Sequence, residues 1–190
     1  MNIDLGTPLV THTFIDYPDP EADALIVCFI GCPHNCEGCH NYYLQGKEPL
    51  PLAVAEEQAE ITGYKIAFHS FEEAEAAISL ECRRHNTSKL VLQGGEPLFA
   101  GNNLEFTKYI CSIPKYEVCI YTGYSAEYAK ATGVTGFSYI KCGCFEQASS
   151  RVSQKTDDEF TLASPNQEFY NSNFEQISTA GVLNFHKQPK

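Results

Sequence analysis

An unbroken apolar run, Ala24-Leu-Ile-Val-Cys-Phe-Ile30, ends at Gly31 and is followed at once by Cys32, Cys36 and Cys39. A short apolar run bounded by a turn residue reads as a buried strand, so the three thiols sit in the loop where that strand ends. Their spacing, C-x3-C-x2-C, confines three soft donors to one compact loop, and soft thiolates select iron–sulfur clusters or zinc. Cubane clusters are normally held by four thiolates. Three leave one iron without a protein ligand, and an open position separates a catalytic metal site from a closed structural one. Zinc is the alternative, since His34 and His40 could complete a Cys3His set. However, zinc motifs usually pair two half-sites, and no second C-x2-C or H-x3-H exists here. A disulfide is disfavoured because three neighbouring cysteines cannot all pair.

The rest of the pattern places that loop in a fold. Strands are expected over 25–30, 89–93, 117–121 and 137–141, each short and rich in Val, Ile, Leu, Tyr or Phe. That is how strands covered on both faces of a parallel sheet read. Helices are expected between them. Ser70 and Glu73 form a capping box ahead of 71–85. Asn103 is placed to cap 104–112, with Pro114 ending it. Ser125 is placed to cap a short helix to Ala131, closed by Gly133. Alternating strands and helices give β/α units with right-handed crossovers. An eight-unit barrel needs about 250 residues, so 190 residues predict an α/β partial, open parallel β/α barrel. A single domain is expected over residues 1–190, with its core at about 13–170. Residues 53–60 are a candidate short helix, 146–158 a surface loop and 186–190 a frayed end.

In such folds the loops after the strands share one edge, where ligands bind. The cysteine loop, Gly94-Gly95-Glu96-Pro97, Thr122-Gly123 and Gly143 should therefore converge on one mouth. Too few units for closure predict that this mouth is wide and laterally open.

Composition narrows the function classes. A formal net charge of −11 argues against nucleic-acid binding, which needs clustered Lys and Arg on phosphates. No apolar stretch is long enough to span a bilayer, and no signal peptide is visible. Nine cysteines, an odd number with three clustered, suit a reducing cytoplasmic setting better than a disulfide framework.

The cysteine loop after a first strand, with a Gly-Gly-Glu-Pro turn after a later one, resembles the radical S-adenosylmethionine (SAM) superfamily. The resemblance implies a 4Fe-4S cluster on Cys32, Cys36 and Cys39, whose open iron chelates SAM. It also implies that Gly94, Gly95 and Glu96 surround the methionine end, with Glu96 meeting its amino group. Thr13-Phe-Ile-Asp-Tyr-Pro18 and the ending Cys39-His40-Asn41 further resemble the glycyl-radical activases, specifically those serving anaerobic ribonucleoside-triphosphate reductase. Tyr139-Ile-Lys-Cys-Gly143 and Ser164-Pro-Asn-Gln-Glu-Phe-Tyr170 are similar to their C-terminal half. The implied reaction is reductive cleavage of SAM, followed by removal of a hydrogen atom from a glycine of the reductase's glycyl-radical subunit. Electrons would come from a donor such as flavodoxin.

Departures from the family pattern accompany the match. Gly38 stands where many members carry an aromatic residue near the adenine, Asp19-Pro20 follows Tyr-Pro where glycine is usual, and Ser138 replaces an expected acidic residue. Lys141 is the candidate for the ribose contact. Cys28, Cys82, Cys111 and Cys119 read as small core residues, and Cys142 and Cys144 form a C-x-C near the mouth. Two rivals remain. One is a small-molecule radical SAM enzyme such as a 7-carboxy-7-deazaguanine synthase, where Asp rather than His40 would follow the third cysteine. The other is a non-enzymatic zinc-binding interaction module, in which the Gly94–Pro97 turn has no purpose.

Overall fold

The computed structural model describes residues 5–6, 9–13, 16–44, 67–68 and 70–187. Its centre is a six-stranded sheet. Four strands are parallel neighbours: β3 (Ala24–Phe29), β5 (Lys89–Gly94), β6 (Glu117–Tyr121) and β7 (Tyr139–Cys142). An antiparallel strand flanks each side, β2 (Leu9–Thr13) on β3 and β10 (Glu168–Asn171) on β7. A separate ribbon pairs β1 (Leu5–Gly6) with β4 (Ala67–Phe68). The four strands expected from sequence are all present. The flanking strands were not anticipated, and they make the sheet mixed at both edges.

The parallel register aligns Leu25 with Leu90 and Val118, and Val27 with Leu92, Ile120 and Ile140. Successive side chains alternate across a strand, so these residues share one face. Three helices cover it: α1 (Phe71–Arg84), α2 (Asn102–Cys111) and α3 (Ala126–Ala131). They contribute Ala74, Ile78, Phe106, Ile110 and Ala129 to that core. The expected caps form at α1 and α3, where Ser70 Oγ accepts from Glu73 N and Ser125 Oγ from Tyr128 N. Asn103 does not cap α2. Gly101 holds that position without a side-chain bond, and Asn103 is drawn inward to a task described below.

The other face carries Ala24, Val91 and Cys119, and helices do not cover it. Tyr17, Phe160, Leu162, Phe169 and Leu183 pack there instead. Phe160, Leu162 and Leu183 belong to or adjoin a second, three-stranded antiparallel sheet of β8 (Gln154–Lys155), β9 (Glu159–Thr161) and β11 (Val182–Asn184). The segment expected as a plain surface loop over 146–158 thus supplies a strand. This small sheet packs on the part of the second face that carries Ala24, Val91 and Cys119. Lys155 fastens it, its Nζ donating to Tyr17 O at 3.1 Å and Asp19 O at 2.8 Å. The chain end is also tied further than expected. Phe185–Lys187 form a turn of 3-10 helix, and Phe185 N donates to Asp158 O at 2.9 Å. The candidate helix at 53–60 lies outside the described residues. Among the described residues, no helix is long and apolar enough to cross a membrane.

Because Phe169 is wholly buried between the two sheets, Phe169→Ala should lower unfolding stability by about 3–5 kcal/mol. Val152→Ala, at a side chain 81% exposed, should leave the urea midpoint nearly unchanged.

Candidate metal and cofactor site

The turn after β5 is bonded to the start of the cysteine loop through backbone. Gly95 N donates to Phe29 O at 2.7 Å and Glu96 N to Gly31 O at 2.8 Å. A Cβ on Gly95 would stand 2.5 Å from Gly31 O and 2.8 Å from Phe29 O, so only glycine allows this approach. Asn103 completes the joint from α2, its amide donating to Ile30 O at 2.9 Å and Glu96 O at 3.1 Å. Two segments more than sixty residues apart are thereby held as one unit.

Glu96 is the hub. Its side chain is 1% exposed, yet both oxygens are fully engaged. Oε1 accepts from Leu98 N at 2.9 Å and Thr122 Oγ1 at 2.7 Å. Oε2 accepts from Gly123 N at 2.8 Å and meets His34 Nε2 at 2.9 Å. A buried carboxylate is tolerated when its lone pairs are met in this way. His34 comes from the cysteine loop, lies edge-on to Tyr124 at 4.5 Å between ring centroids, and leaves no space for a side chain on Gly123. The loops after β3, β5 and β6 therefore meet at one carboxylate. The loop after β7 joins them through Cys144, whose Sγ donates to Gly123 O at 3.1 Å. The convergence expected from strand order is present in full.

Cys32, Cys36 and Cys39 are free thiols, each partly exposed on the loop. Burial pushes the Cys32 thiol up to about 11, and Glu96, Cys36 and Cys39 add to the rise. Among the described residues, no three His, Cys, Asp or Glu side chains are drawn together tightly enough to grip a metal ion. The donor chemistry nonetheless fits an iron–sulfur cluster: three thiols share a loop, and the Nε2 of His34, the nearer candidate for zinc, is committed to Glu96. Gly38 has a positive φ of 69°, and a Cβ there would press on the Gln147 side chain at 2.9 Å, which explains the missing aromatic residue at that position.

Beside the loop lies a cleft of about 830 Å³. Asp16, His40, Asn41, Gln93, Tyr121, Lys141 and Gln167 are among its walls. Lys141 is 8% exposed and sits over the Tyr121 ring at 5.1 Å. Desolvation lowers its pKa, opposed chiefly by the charge of Glu96. Asp16 is shifted upward, also by burial, with a hydrogen bond to Gln93 and the charges of Lys155 and Lys141 pulling back. Sequence reasoning missed Gln93, gave Asp16 no role beyond its motif, weighed His34 only as a zinc ligand, and placed Thr122 at the mouth without seeing its bond to Glu96. Only the register could have shown Gln93, Tyr121 and Lys141 on one face.

The sequence-predicted residues are thus brought together, with one difference in emphasis. Gly94, Gly95 and Glu96 adjoin the cysteine loop, but Glu96 spends its lone pairs on the protein. Cys82, Cys111 and Cys119 are buried, as expected for core residues, whereas Cys28 is only partly buried and Cys142, expected near the mouth, is buried in the core. Replacing Cys32, Cys36 or Cys39 by Ala should abolish iron retention after anaerobic reconstitution, measured by iron and sulfide content. Cys82→Ala or Cys111→Ala should retain iron and cost about 1–2 kcal/mol. Gly95→Ala should both unfold at lower urea and lose iron, because its Cβ forces the two loops apart.

Comparison with known proteins bears on this site. QueE from Escherichia coli is similar in structure at a TM-score of 0.41 and 18% identity, over 64% of this chain and 52% of that one. The present chain spans about half the length of that protein, and a likeness so distant carries no conclusion about activity. No curated protein matches in sequence. The 4Fe-4S single cluster domain, however, matches over residues 24–170, from the first residue of β3 to the last sheet edge. The cofactor that this match implies is a 4Fe-4S cluster. The chain belongs to the family of 4Fe-4S single cluster domains.

Proposed function

We propose that this protein is a radical SAM enzyme that activates a glycyl-radical partner, namely an anaerobic ribonucleoside-triphosphate reductase. The observation that carries the reading is the composition of the cleft. Asp16 and the pair His40-Asn41, which belong to the motifs resembling the activases, line the same space as Lys141 and Gln93. That space opens beside the cysteine loop. When bound, a cluster held by Cys32, Cys36 and Cys39 would supply the electron for reductive cleavage of SAM.

The chain's own residues do the rest. Cys32, Cys36 and Cys39 hold the cluster, and Gly94, Gly95 and Glu96 present the turn that receives the methionine end. Lys141, buried and facing the cleft, is suited to a ribose hydroxyl or an anionic group, since a desolvated ammonium gains from any acceptor placed beside it. Tyr121, under Lys141, and Asp16, held near Gln93, form a polar floor that orients what enters. Leu162 and Ala163, which follow β9, and Phe145 form apolar parts of the cleft wall, and excluding water there would protect a radical from side reactions.

A second reading is favoured by one observation. Pockets of about 300–1,000 Å³ commonly enclose small ligands, and the cleft falls in that range with Arg151, Ser150 and Ser153 on one wall. A small polar substrate would then replace the protein glycine. Electron paramagnetic resonance separates the two. With reductant and SAM, a glycyl doublet should develop on the wild-type reductase and be absent when its radical-site glycine is alanine. No doublet with the wild-type reductase, alongside SAM cleavage that free purine-like compounds stimulate, would move the assignment to the small-molecule class.

A further inference from the structure

A buried ammonium with nothing to bond faces the cleft. Lys141 is 8% exposed, and its Nζ makes no hydrogen bond or ion pair among the described residues. In register it lies between Tyr121 on β6 and Phe169 on β10, so its stem runs between two rings and its head reaches the cleft. The Tyr121 ring, 5.1 Å from Nζ, offers a π face but no lone pair. Glu96 attracts the charge through space, yet both of its oxygens are taken by other donors. An ammonium removed from water without acceptors costs stability, and such a group in a cleft is where a ligand is to be sought.

The surroundings hold that ammonium in place. Thr122 N donates to Lys141 O at 2.8 Å, and the Tyr121 hydroxyl donates to Asp16 O at 2.5 Å, which fixes the ring beneath Nζ. A second cation, Arg151, stands on another wall of the same cleft. Its Nε donates to Leu162 O at 2.9 Å and its Nη2 to Ala180 O at 2.7 Å. Both acceptors are backbone carbonyls, so the guanidinium is anchored while its charge stays unmatched by a carboxylate. In a chain of formal net charge −11, two cations without a carboxylate partner thus share a space of about 830 Å³. Asp16 is the one carboxylate among the described walls, and its side chain is hydrogen-bonded to Gln93.

We propose that the cleft binds a small organic anion, whose carboxylate or phosphate oxygens lie against Lys141 with Arg151 at the rim, and whose other end donates a hydrogen bond to Asp16. Hydrogen bonds between an ammonium and anionic oxygens are the strong, charge-assisted kind, and they supply what the protein leaves out. The proposal stands on the cleft and not on what the cysteine loop holds. It goes beyond a ribose contact, because a neutral hydroxyl would leave the charge of Lys141 unmatched. Where the second reading of the cleft applies, it names the substrate class as anionic.

Isothermal titration calorimetry on the anaerobically reconstituted full chain tests this with charged and neutral probes of like shape: benzoate against benzamide, and uridine 5′-monophosphate against uridine. In the wild type at least one anion should bind roughly tenfold more tightly than its neutral counterpart, and the pair that responds separates carboxylate from phosphate recognition. Lys141→Met keeps the stem and should remove the preference. Arg151→Gln should weaken it several-fold, and Lys108→Met, outside the cleft walls, should leave it intact. Urea unfolding separates a ligand site from a structural lysine. Relieved of an unmatched buried charge, Lys141→Met should unfold at a higher urea concentration than the wild type. Equal binding of charged and neutral probes, or a preference that survives Lys141→Met, would overturn the proposal. So would binding of S-adenosylhomocysteine with neither anion, since Lys141 would then serve SAM alone. Earlier unfolding of Lys141→Met would also count against it, because the ammonium would then be holding the fold together. The glycyl doublet on the reductase reads independently of all these outcomes.

Discussion

One buried carboxylate holds the working end of this molecule together. Glu96 receives donors from its own turn, from Thr122 and Gly123 after β6, and from His34 in the cysteine loop. No apolar packing could replace this arrangement, because each donor is a polar group that burial would otherwise strand. Removing any one partner leaves a charge in a dry place, which costs far more than the bond itself contributes. The loops are consequently interdependent. The cysteine loop has its shape because the β5 turn accepts it, and the β6 turn has its shape because both meet at Glu96.

The two faces of the sheet divide the labour. The face under α1, α2 and α3 is apolar throughout and supplies the stability against which loop order is set. The opposite face changes character along its length, from Ala24, Val91 and Cys119 to Gln93, Tyr121 and Lys141 at the strand ends. Its apolar half takes the small C-terminal sheet, and its polar half becomes the cleft. A single strand such as β7 therefore serves both purposes: Ile140 and Cys142 enter the core while Lys141 faces the cleft.

Much of this was legible in sequence because it rests on local rules. The strand cores, the caps at Ser70 and Ser125, and the exit of each strand into a glycine turn are written in short windows. The cysteine spacing pointed to a soft metal centre before any packing was known. What could not be read depends on long-range pairing. Asn103 has the composition of a helix cap but is taken by Ile30 O and Glu96 O, and no local pattern signals that competition. The strands β8, β9 and β11 run two or three residues each, too short for alternation to stand out. Glu96 was recognised from its motif as a group facing a ligand. Its role as an internal junction needs His34 and Thr122, which only the fold brings near.

The clamp from Lys155 to the backbone of Tyr17 and Asp19 has a temporal side. It spans 138 and 136 residues of chain, and the cysteine loop lies near its early end. A chain that grows at roughly 5–20 residues per second exposes Cys32, Cys36 and Cys39 well before residue 155 leaves the ribosome. During that interval the thiols stand before the small C-terminal sheet has docked on Tyr17 and Asp19. The cysteine loop is thus synthesised long before the last strand that completes the fold around Tyr17, and its order must wait for Glu96 and Gly123 to arrive.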